Sequence, residues 1–241
     1  MQKEANFTKS IELYIAEHGR DHLFDAVPPK SRRHLVPLTV ELPTLRNADI
    51  DEYKAKVETV AKQYPYLSRR ISPELLYRYH IWGMLSNISL SVEPSLKTKW
   101  GITHELFGSA YNTLPHVSYG SLFPDLEENS TGNVFFFKPK KGDVILANPP
   151  YTADYIRWTI HQILGPWKGK ATFYVVIPVW DRKTRDELGL KRYPDIPEIG
   201  ELIAASTHHE VVHTFPFYDG IHGKKVHLRD PVHVMYLNGV S

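Results

Sequence analysis

The chain has 241 residues, 42% apolar and 12% aromatic, the composition of a folded globular protein with one sizeable domain or two small ones. It has no cysteine, which excludes disulfides and cysteine-ligated zinc, and its formal charge of +2 neither supports nor opposes a nucleic-acid substrate. No apolar run approaches the roughly 20 residues of a membrane helix and the amino terminus is polar, so we expect an intracellular protein, nuclear or cytoplasmic, neither secreted nor membrane-bound.

Helical patterns dominate residues 1–100. Apolar spacing and capping residues predict helices over Phe7 to His18, Asp49 to Gln63 and Pro73 to Asn87. Between the first two lies the proline-rich segment Val27 to Pro43, whose basic residues form either a solvated loop or contacts to RNA phosphates. We therefore expect residues 1–100 to be a helical N-terminal region that could contact RNA or its cap.

Short apolar runs separated by turns follow Trp100, and this pattern indicates strands. The runs are Thr103 to Phe107, Tyr119 to Phe123, Val134 to Phe137, Asp143 to Ala147, Thr172 to Ile177, Glu210 to Phe215 and Val232 to Leu237. Helical spacing over Thr152 to Leu164 and Glu198 to Ala205 predicts helices between strands, as in a mostly parallel sheet covered by helices. We expect the last two runs to form an antiparallel pair at its edge, and residues 101–241 to form an α/β catalytic domain.

Asn148, Pro149, Pro150 and Tyr151 close the fourth of these runs. The exocyclic amine of adenine or cytosine donates its lone pair into the ring and is a poor nucleophile. The side-chain oxygen of Asn148 and the carbonyl of Pro149 can each accept one N–H as a methyl group arrives, which stabilises the developing charge. The prolines hold these acceptors rigid, and Tyr151 offers a ring on which an unstacked base can stack. The tetrapeptide predicts an amino-group methyltransferase, or else a proline turn that ends a buried strand.

Further motifs accompany this tetrapeptide in order along the chain. Glu105 to Asn112 keeps Glu105, Phe107, Ser109 and Asn112 of the pattern E-C-F-A-S-P-L-N; Phe123-Pro124-Asp125, Ala147 to Tyr151 and Ile177 to Trp180 are similar to F-P-D, A-N-P-P-F and I-P-E-W. Over Arg78 to Asn238 the chain thus resembles the phosphorylated-CTD-interacting factors, a family of cap-specific adenosine N6-methyltransferases. The resemblance implies a Rossmann-like, S-adenosylmethionine-dependent methyltransferase core with a mostly parallel seven-stranded sheet.

The chain also departs from the family. No WW domain is expected before the core. We therefore expect this chain to lack the domain that tethers the family to polymerase. Tyr151 replaces a phenylalanine but keeps its stacking face. Val179 stands where the family has an acid. The resemblance therefore implies the family's chemistry but not its contacts with the cap.

The resemblance implies a binding site for S-adenosylmethionine at the ends of the first two strands. Four residues are expected to border its methionine moiety, namely Glu105, Phe107, Ser109 and Asn112. Asp125 is the candidate for the ribose hydroxyls, although it also fits a turn after proline. Trp180 is expected to wall the base pocket or to belong to the core.

Two further segments are candidates for contact with RNA. The loop Phe217 to Lys225, with Tyr218 and His222, combines aromatic and basic residues and predicts a lip over RNA or an exposed hairpin. Basic residues follow Trp180 and predict phosphate contacts or a solvated loop. These are Arg182, Lys183, Arg185, Lys191 and Arg192.

His209-Glu210-Val211-Val212-His213 satisfies the zinc-protease pattern H-E-x-x-H, which binds metal only when it lies on a helix. The two valines and the following Thr214, Phe215 and Pro216 favour a strand instead. We therefore expect no metal site here.

The sequence predicts a methyltransferase that acts on adenosine N6 in RNA, next to the 5′ cap of an mRNA. The tetrapeptide does not itself read a cap, so adenine in DNA or in internal RNA stays an alternative substrate. A third hypothesis is a nucleic-acid-binding subunit without catalytic activity, which the intact Asn148 to Tyr151 opposes.

Overall fold

The computed structural model describes residues 90–109, 112–121, 129–132, 134–190, 194–219 and 224–239. Several sequence predictions lie outside these ranges and stay predictions. They are the three helices before residue 90, Asp125, Lys191, Arg192 and His222. The described residues form a mixed α/β structure, which confirms the predicted α/β class.

The elements follow one another in a mixed order of strands and short helices. They are β1 Leu90–Val92, α1 Pro94–Trp100, β2 His104–Glu105, β3 Ser118–Tyr119, a 3-10 helix Val134–Phe136, β4 Val144–Ala147, α2 Ala153–Leu164, β5 Thr172–Pro178, α3 Arg182–Glu187, α4 Glu198–Ala205, β6 His208–Val212, β7 Pro216–Asp219, β8 Lys224–His227 and β9 Val232–Leu237. Within the described ranges, no helix is long and apolar enough to cross a bilayer.

The larger sheet has the strand order β3-β2-β4-β5-β9-β6. Neighbouring strands from β3 to β5 are parallel, whereas β9 runs antiparallel to β5 and to β6. The described residues supply six strands to this sheet, one fewer than predicted, together with an isolated parallel bridge from Tyr119 to Ser130 beside β3. The predicted antiparallel edge pair is confirmed, since β6 and β9 are these two strands.

Two local predictions are wrong. Val134 to Phe137 was expected to be a strand, but Val134–Phe136 form a 3-10 helix in which Phe137 N–H donates to the Val134 carbonyl at 3.1 Å. Phe135 packs into the core there, with its ring centroid 4.9 Å from that of Trp158, so the apolar character of this run serves packing without strand pairing. The strand expected over Glu210 to Phe215 begins earlier and ends at Val212.

A second sheet of three strands was not predicted. Its order is β1-β7-β8, with antiparallel pairing throughout, so Leu90 lies opposite Asp219 and Phe217 opposite Val226. The strands are only three or four residues long. Such short runs lack a readable alternation, which is why the sequence pattern does not reveal them.

The two faces of the larger sheet are covered by different elements. The helices α2 and α4 pack on one face, where Ile156, Ile160, Ile199 and Leu202 are fully buried. On the other face lie α1 and the small sheet, and the indole of Trp100 stacks on Tyr174 of β5 at 4.7 Å. Because both faces are covered, the central strand β5 reads as a continuous apolar run.

Residues 90–100 are part of this arrangement, through β1, α1 and Trp100. Residues 1–89, which make up most of the region before the domain boundary predicted near Trp100, lie outside the described ranges. That boundary and the expected missing WW domain therefore stay predictions.

Candidate functional site

The carboxyl ends of three neighbouring parallel strands meet at one edge of the larger sheet. Glu105 of β2 pairs in register with Leu146 of β4, and Ala147 of β4 pairs with Val175 of β5. The segment after β2, the tetrapeptide after β4 and Trp180 after β5 therefore leave the sheet at the same edge, where open α/β sheets bind ligands.

Residues 148–151, which we call the acceptor corner, lie directly between β4 and α2. Pro149 is buried, while Asn148 and Tyr151 are half-buried. The Tyr151 hydroxyl donates to Oδ1 of Asn148 over a long 3.4 Å, and the Pro150 carbonyl accepts a hydrogen bond from Thr152 N–H at 2.7 Å. No described residue donates to the Pro149 carbonyl. The corner therefore keeps the Asn148 oxygen and the Pro149 carbonyl available as acceptors.

Aromatic side chains surround the Tyr151 ring. Trp180 meets it at 66° with ring centroids 6.4 Å apart, and Phe217 of β7 meets it at 82° and 6.3 Å. Burial raises the pKa of the Tyr151 phenol well above its usual value, so the hydroxyl stays protonated and serves only as a donor or a neutral acceptor. The structure thus brings Trp180 to the corner, and it adds Phe217 from the small sheet.

Tyr218 is not part of this aromatic group. It follows Phe217 along β7 and so points to the opposite face of the small sheet, where it lies opposite Ser91 and Lys225. Phe217 is buried, whereas Tyr218 is half-buried. Of the two aromatic neighbours, the one that the sequence did not single out contacts the corner.

Three of the predicted cofactor residues belong to one buried network. Nζ of Lys97 donates to Oε1 of Glu105 at 2.6 Å and to the Asn112 carbonyl at 2.7 Å, and the Ser91 hydroxyl donates to Oε2 of Glu105 at 2.9 Å. Oδ1 of Asn112 in turn accepts a hydrogen bond from Ser109 N–H at 3.0 Å. The network joins the two ends of the segment after β2.

Lys97 is the member of this network that sequence reasoning missed. Its side chain is fully buried on α1. A lysine in a short helix usually lies at the surface, so the sequence gives no sign of this burial. Phe107, the fourth predicted cofactor residue, is half-buried and meets Tyr155 and Trp158 of α2 edge-on. Its ring therefore lies between the segment after β2 and the helix that follows the corner.

The end of β3 carries a polar atom that the sequence did not indicate. The Ser121 hydroxyl is buried and has no hydrogen-bond partner among the described residues. The neighbouring Gly108 is tightly packed, since an added Cβ would lie 2.5 Å from Cβ of Tyr119. A hydroxyl at this edge suits a ligand with hydroxyl groups, such as the ribose of S-adenosylmethionine.

The predicted phosphate-binding residues lie on and beside α3. Arg182 is exposed, with Nε 3.7 Å from Asp186, and Arg185 is largely buried, with Nη2 3.8 Å from Asp195. Lys183 is exposed. The two arginines thus lie beside carboxylates, which lowers the positive potential that they offer to a phosphate.

A chain of three polar residues, which we call the relay, runs from Asp181, the N-cap of α3 after β5, through β9 to β6. Oδ2 of Asp181 lies 2.7 Å from Nε2 of His233, and Nδ1 of His233 lies 2.9 Å from Nε2 of His209. His233 is fully buried on the inner strand β9. Sequence reasoning missed the relay because its outer members are connected only through the strand register.

The relay is uncharged except at Asp181. Burial favours a raised pKa for Asp181, but hydrogen bonds from Thr184 and His233 outweigh it and hold the pKa of this carboxyl below its usual value. Burial lowers the pKa values of His233 and His209, although the charge of Asp181 opposes both shifts. Both imidazoles are therefore neutral at neutral pH.

His209 to Val212 of the H-E-x-x-H pattern lie on β6, as the valines predicted, and His213 follows in a turn, so the pattern does not lie on a helix. In extended backbone, residues four positions apart lie about 13 Å apart, which is too far for both imidazoles to bind one zinc ion. Throughout the part of the chain that the structure describes, no group of three or more His, Asp or Glu residues could hold a metal ion.

A family model described as phosphorylated CTD interacting factor 1 WW domain matches residues 48–213. The match covers more than half of the chain and includes the acceptor corner, the segment after β2 and Trp180. No curated protein matches the chain.

Proposed function

The chain belongs to the phosphorylated CTD interacting factor 1 family, and we propose that it transfers the methyl group of S-adenosylmethionine to N6 of an adenosine in RNA. The target that we propose is the adenosine next to the 5′ cap of an mRNA. One observation carries the proposal. The acceptor corner lies at the carboxyl end of β4, between the ends of β2 and β5, with the aromatic rings of Trp180 and Phe217 beside it.

The sheet supports a Rossmann-like methyltransferase core. Its four parallel strands, completed by an antiparallel strand β9 inserted between β5 and β6, form an open sheet with helices on one face and α1 on the other. Such a sheet binds its ligand outside the carboxyl ends of the strands. The proposed site lies at that edge.

The acceptor corner supplies the chemistry. We assign Oδ1 of Asn148 and the Pro149 carbonyl to accept the two N–H groups of the target amine, which frees the nitrogen lone pair for attack. The lone pair forms the new N–C bond as the C–S bond breaks, and the bonding electrons pass to the sulfur. The nitrogen then loses a proton to solvent. Tyr151 supplies a stacking face and, with its raised pKa, takes no proton.

The predicted cofactor residues differ in what their side chains already contact. The Glu105 carboxylate bonds with Lys97 and Ser91, so we assign it to hold the segment in place. Phe107 offers a half-buried ring, and the Ser121 hydroxyl offers the ribose a polar atom that no described residue engages. When bound, S-adenosylmethionine supplies the methyl group that is transferred.

The variant Asn148→Ala tests the assignment. We expect kcat for adenosine methylation to fall by about 10²–10³, because one positioned acceptor of the transition state is lost. Binding of S-adenosylmethionine, measured by calorimetry, should be unchanged, and Asn238→Ala, at an exposed asparagine after β9, serves as the matched control. Near wild-type methylation by a folded Asn148→Ala variant would contradict the mechanism.

Competition separates the capped substrate from adenine in DNA or internal RNA. Free cap analogue should inhibit methylation of capped RNA strongly if the chain binds the cap. If instead uncapped RNA and DNA are methylated equally well and the analogue has no effect, the cap-adjacent target is wrong, while the transfer to adenine N6 remains.

A further inference from the structure

A cavity of about 580 Å³ lies between α3, α4 and β6. Its walls include Asp181 and His209, the two outer members of the relay. Asp181 directly follows Trp180, whose ring contacts Tyr151, so one step along the chain connects a wall of the cavity to the acceptor corner. The volume is in the range of pockets that hold small organic ligands.

The relay determines which hydrogen-bonding group His209 presents. The ionised carboxylate of Asp181 can only accept, so Nε2 of His233 carries the proton in their shared hydrogen bond. Nδ1 of the neutral His233 must then accept a hydrogen bond from Nε2–H of His209. Nδ1 of His209 is left with a lone pair, and no described residue bonds to it. His209 therefore presents an acceptor to a ligand, and the ligand must bring a donor.

The other walls of the cavity combine apolar and charged groups. Pro197, Ile203 and Ala204 supply apolar surface, and the exposed side chains of Arg182 and Lys183 lie at the rim. The acids Glu187 and Asp195 also line the cavity, and Asp195 accepts a hydrogen bond from Arg182 N–H at 3.0 Å. The apolar wall, the exposed Lys183 and the fixed acceptor of His209 match the base, phosphate and hydroxyl of a ribonucleotide.

We propose that this cavity binds the ribonucleotide next to the methylated adenosine and that its ribose 2′-hydroxyl donates to Nδ1 of His209. The identity of the polymer rests on the proposed function. The acceptor itself depends only on the relay. Deoxyribose has no 2′-hydroxyl and so cannot donate. A 2′-O-methyl ribose keeps the RNA sugar, but its 2′-oxygen carries no hydrogen to donate. The site therefore distinguishes RNA with a 2′-hydroxyl from both.

The test is a titration of the full chain, labelled with ¹⁵N at its histidines, with a three-nucleotide RNA, its DNA counterpart and its 2′-O-methyl counterpart. We expect the Nδ1 resonance of His209, identified by its loss in His209→Gln, to move with the RNA. Binding of the other two should be about fivefold weaker, the effect of one neutral hydrogen bond. His208→Ala, an exposed neighbour on the same strand, should bind all three as the wild type does.

Asp181→Asn probes the direction of the relay. The asparagine oxygen can still accept from Thr184 N–H, while its amide donates to Nε2 of His233 and reverses both hydrogen bonds. Nδ1 of His209 then becomes a donor, and a methoxy oxygen can accept from it. We expect this variant to bind the 2′-O-methyl and 2′-hydroxyl RNA equally.

Equal binding of all three ligands by the wild-type chain, or an unmoved His209 resonance on RNA binding, would overturn the proposal. So would an Asp181→Asn variant that still prefers the hydroxyl. If the variant does not fold, the comparison of the three ligands on the wild-type chain decides alone. Because the titration involves no methyl transfer, it also distinguishes failure of this site from failure at Asn148.

Discussion

Two polar networks lie on the larger sheet. We call one closed because its carboxylate oxygens are both engaged, and the other open because it ends on a nitrogen without a described partner. In the first, Lys97 and Ser91 engage both oxygens of Glu105, and Lys97 also bonds the Asn112 carbonyl. In the second, the relay begins at a carboxylate and ends at His209, whose second nitrogen has no partner among the described residues. The closed network holds a loop in place, whereas the open one leaves a polarised atom for a ligand.

The difference shows how to recognise a binding group among buried polar residues. Burial and short distances are common to both networks, so neither property identifies a ligand site. The end without a described partner does, because an atom that no neighbouring residue engages is available to a ligand. Among the described residues, the buried Ser121 hydroxyl and Oε2 of Glu198 likewise have no hydrogen-bond partner.

Lys97→Met should have the largest effect on stability. It removes the cation and leaves the buried Glu105 carboxylate partly unpaired, which costs about 3–5 kcal/mol. Urea unfolding measures this loss, and Lys99→Met, at an exposed lysine of the same helix, should change the free energy of unfolding by less than about 0.5 kcal/mol. A small loss in Lys97→Met would mean that the network is not closed in solution.

Acidification should have the next largest effect. Burial lowers the pKa of His104 from 6.5 to about 4, although the charge of Asp143 opposes the shift. Below pH 6.5, His104 binds a proton in the unfolded chain but not in the folded chain. The stability that is present above pH 6.5 is therefore lost as the pH falls towards 4. The loss from His104 is on the order of 3 kcal/mol. His209 and His233, with their lowered pKa values, add to it with the same sign.

Urea unfolding of the wild type and of His104→Gln between pH 7.5 and 4.5 measures this dependence. The variant should show a clearly smaller decrease over that range, whatever its stability at pH 7.5. An equal decrease in both proteins would show that burial of His104 does not cause it.

Tyr151→Phe should have the smallest effect. The hydrogen bond from its hydroxyl to Asn148 is long, at 3.4 Å, and the aromatic contacts with Trp180 and Phe217 survive the change. We expect a stability loss of less than about 1 kcal/mol and a kcat within about fivefold of the wild type. A loss as large as that of Asn148→Ala would instead show that the phenol positions the Asn148 oxygen.

The sequence alone determined the features that depend on neighbouring residues. The strand before Asn148 and the helix after Tyr151 follow from local apolar spacing, and the valines of the H-E-x-x-H segment correctly predicted a strand. The motif order also indicated the family that the match to residues 48–213 shows. For the strands and the helix the cause lies within a few residues along the chain.

Only the tertiary structure decided which distant side chains meet. Asp181 and His233 lie 52 positions apart and are joined because β5, β9 and β6 pair in one register. Phe217 reaches Tyr151 because the small sheet packs on the larger one, and Lys97 is buried because α1 does the same. Such contacts depend on strand register and packing, and a one-residue slip in register would turn His233 and Phe217 to the other face of their sheets.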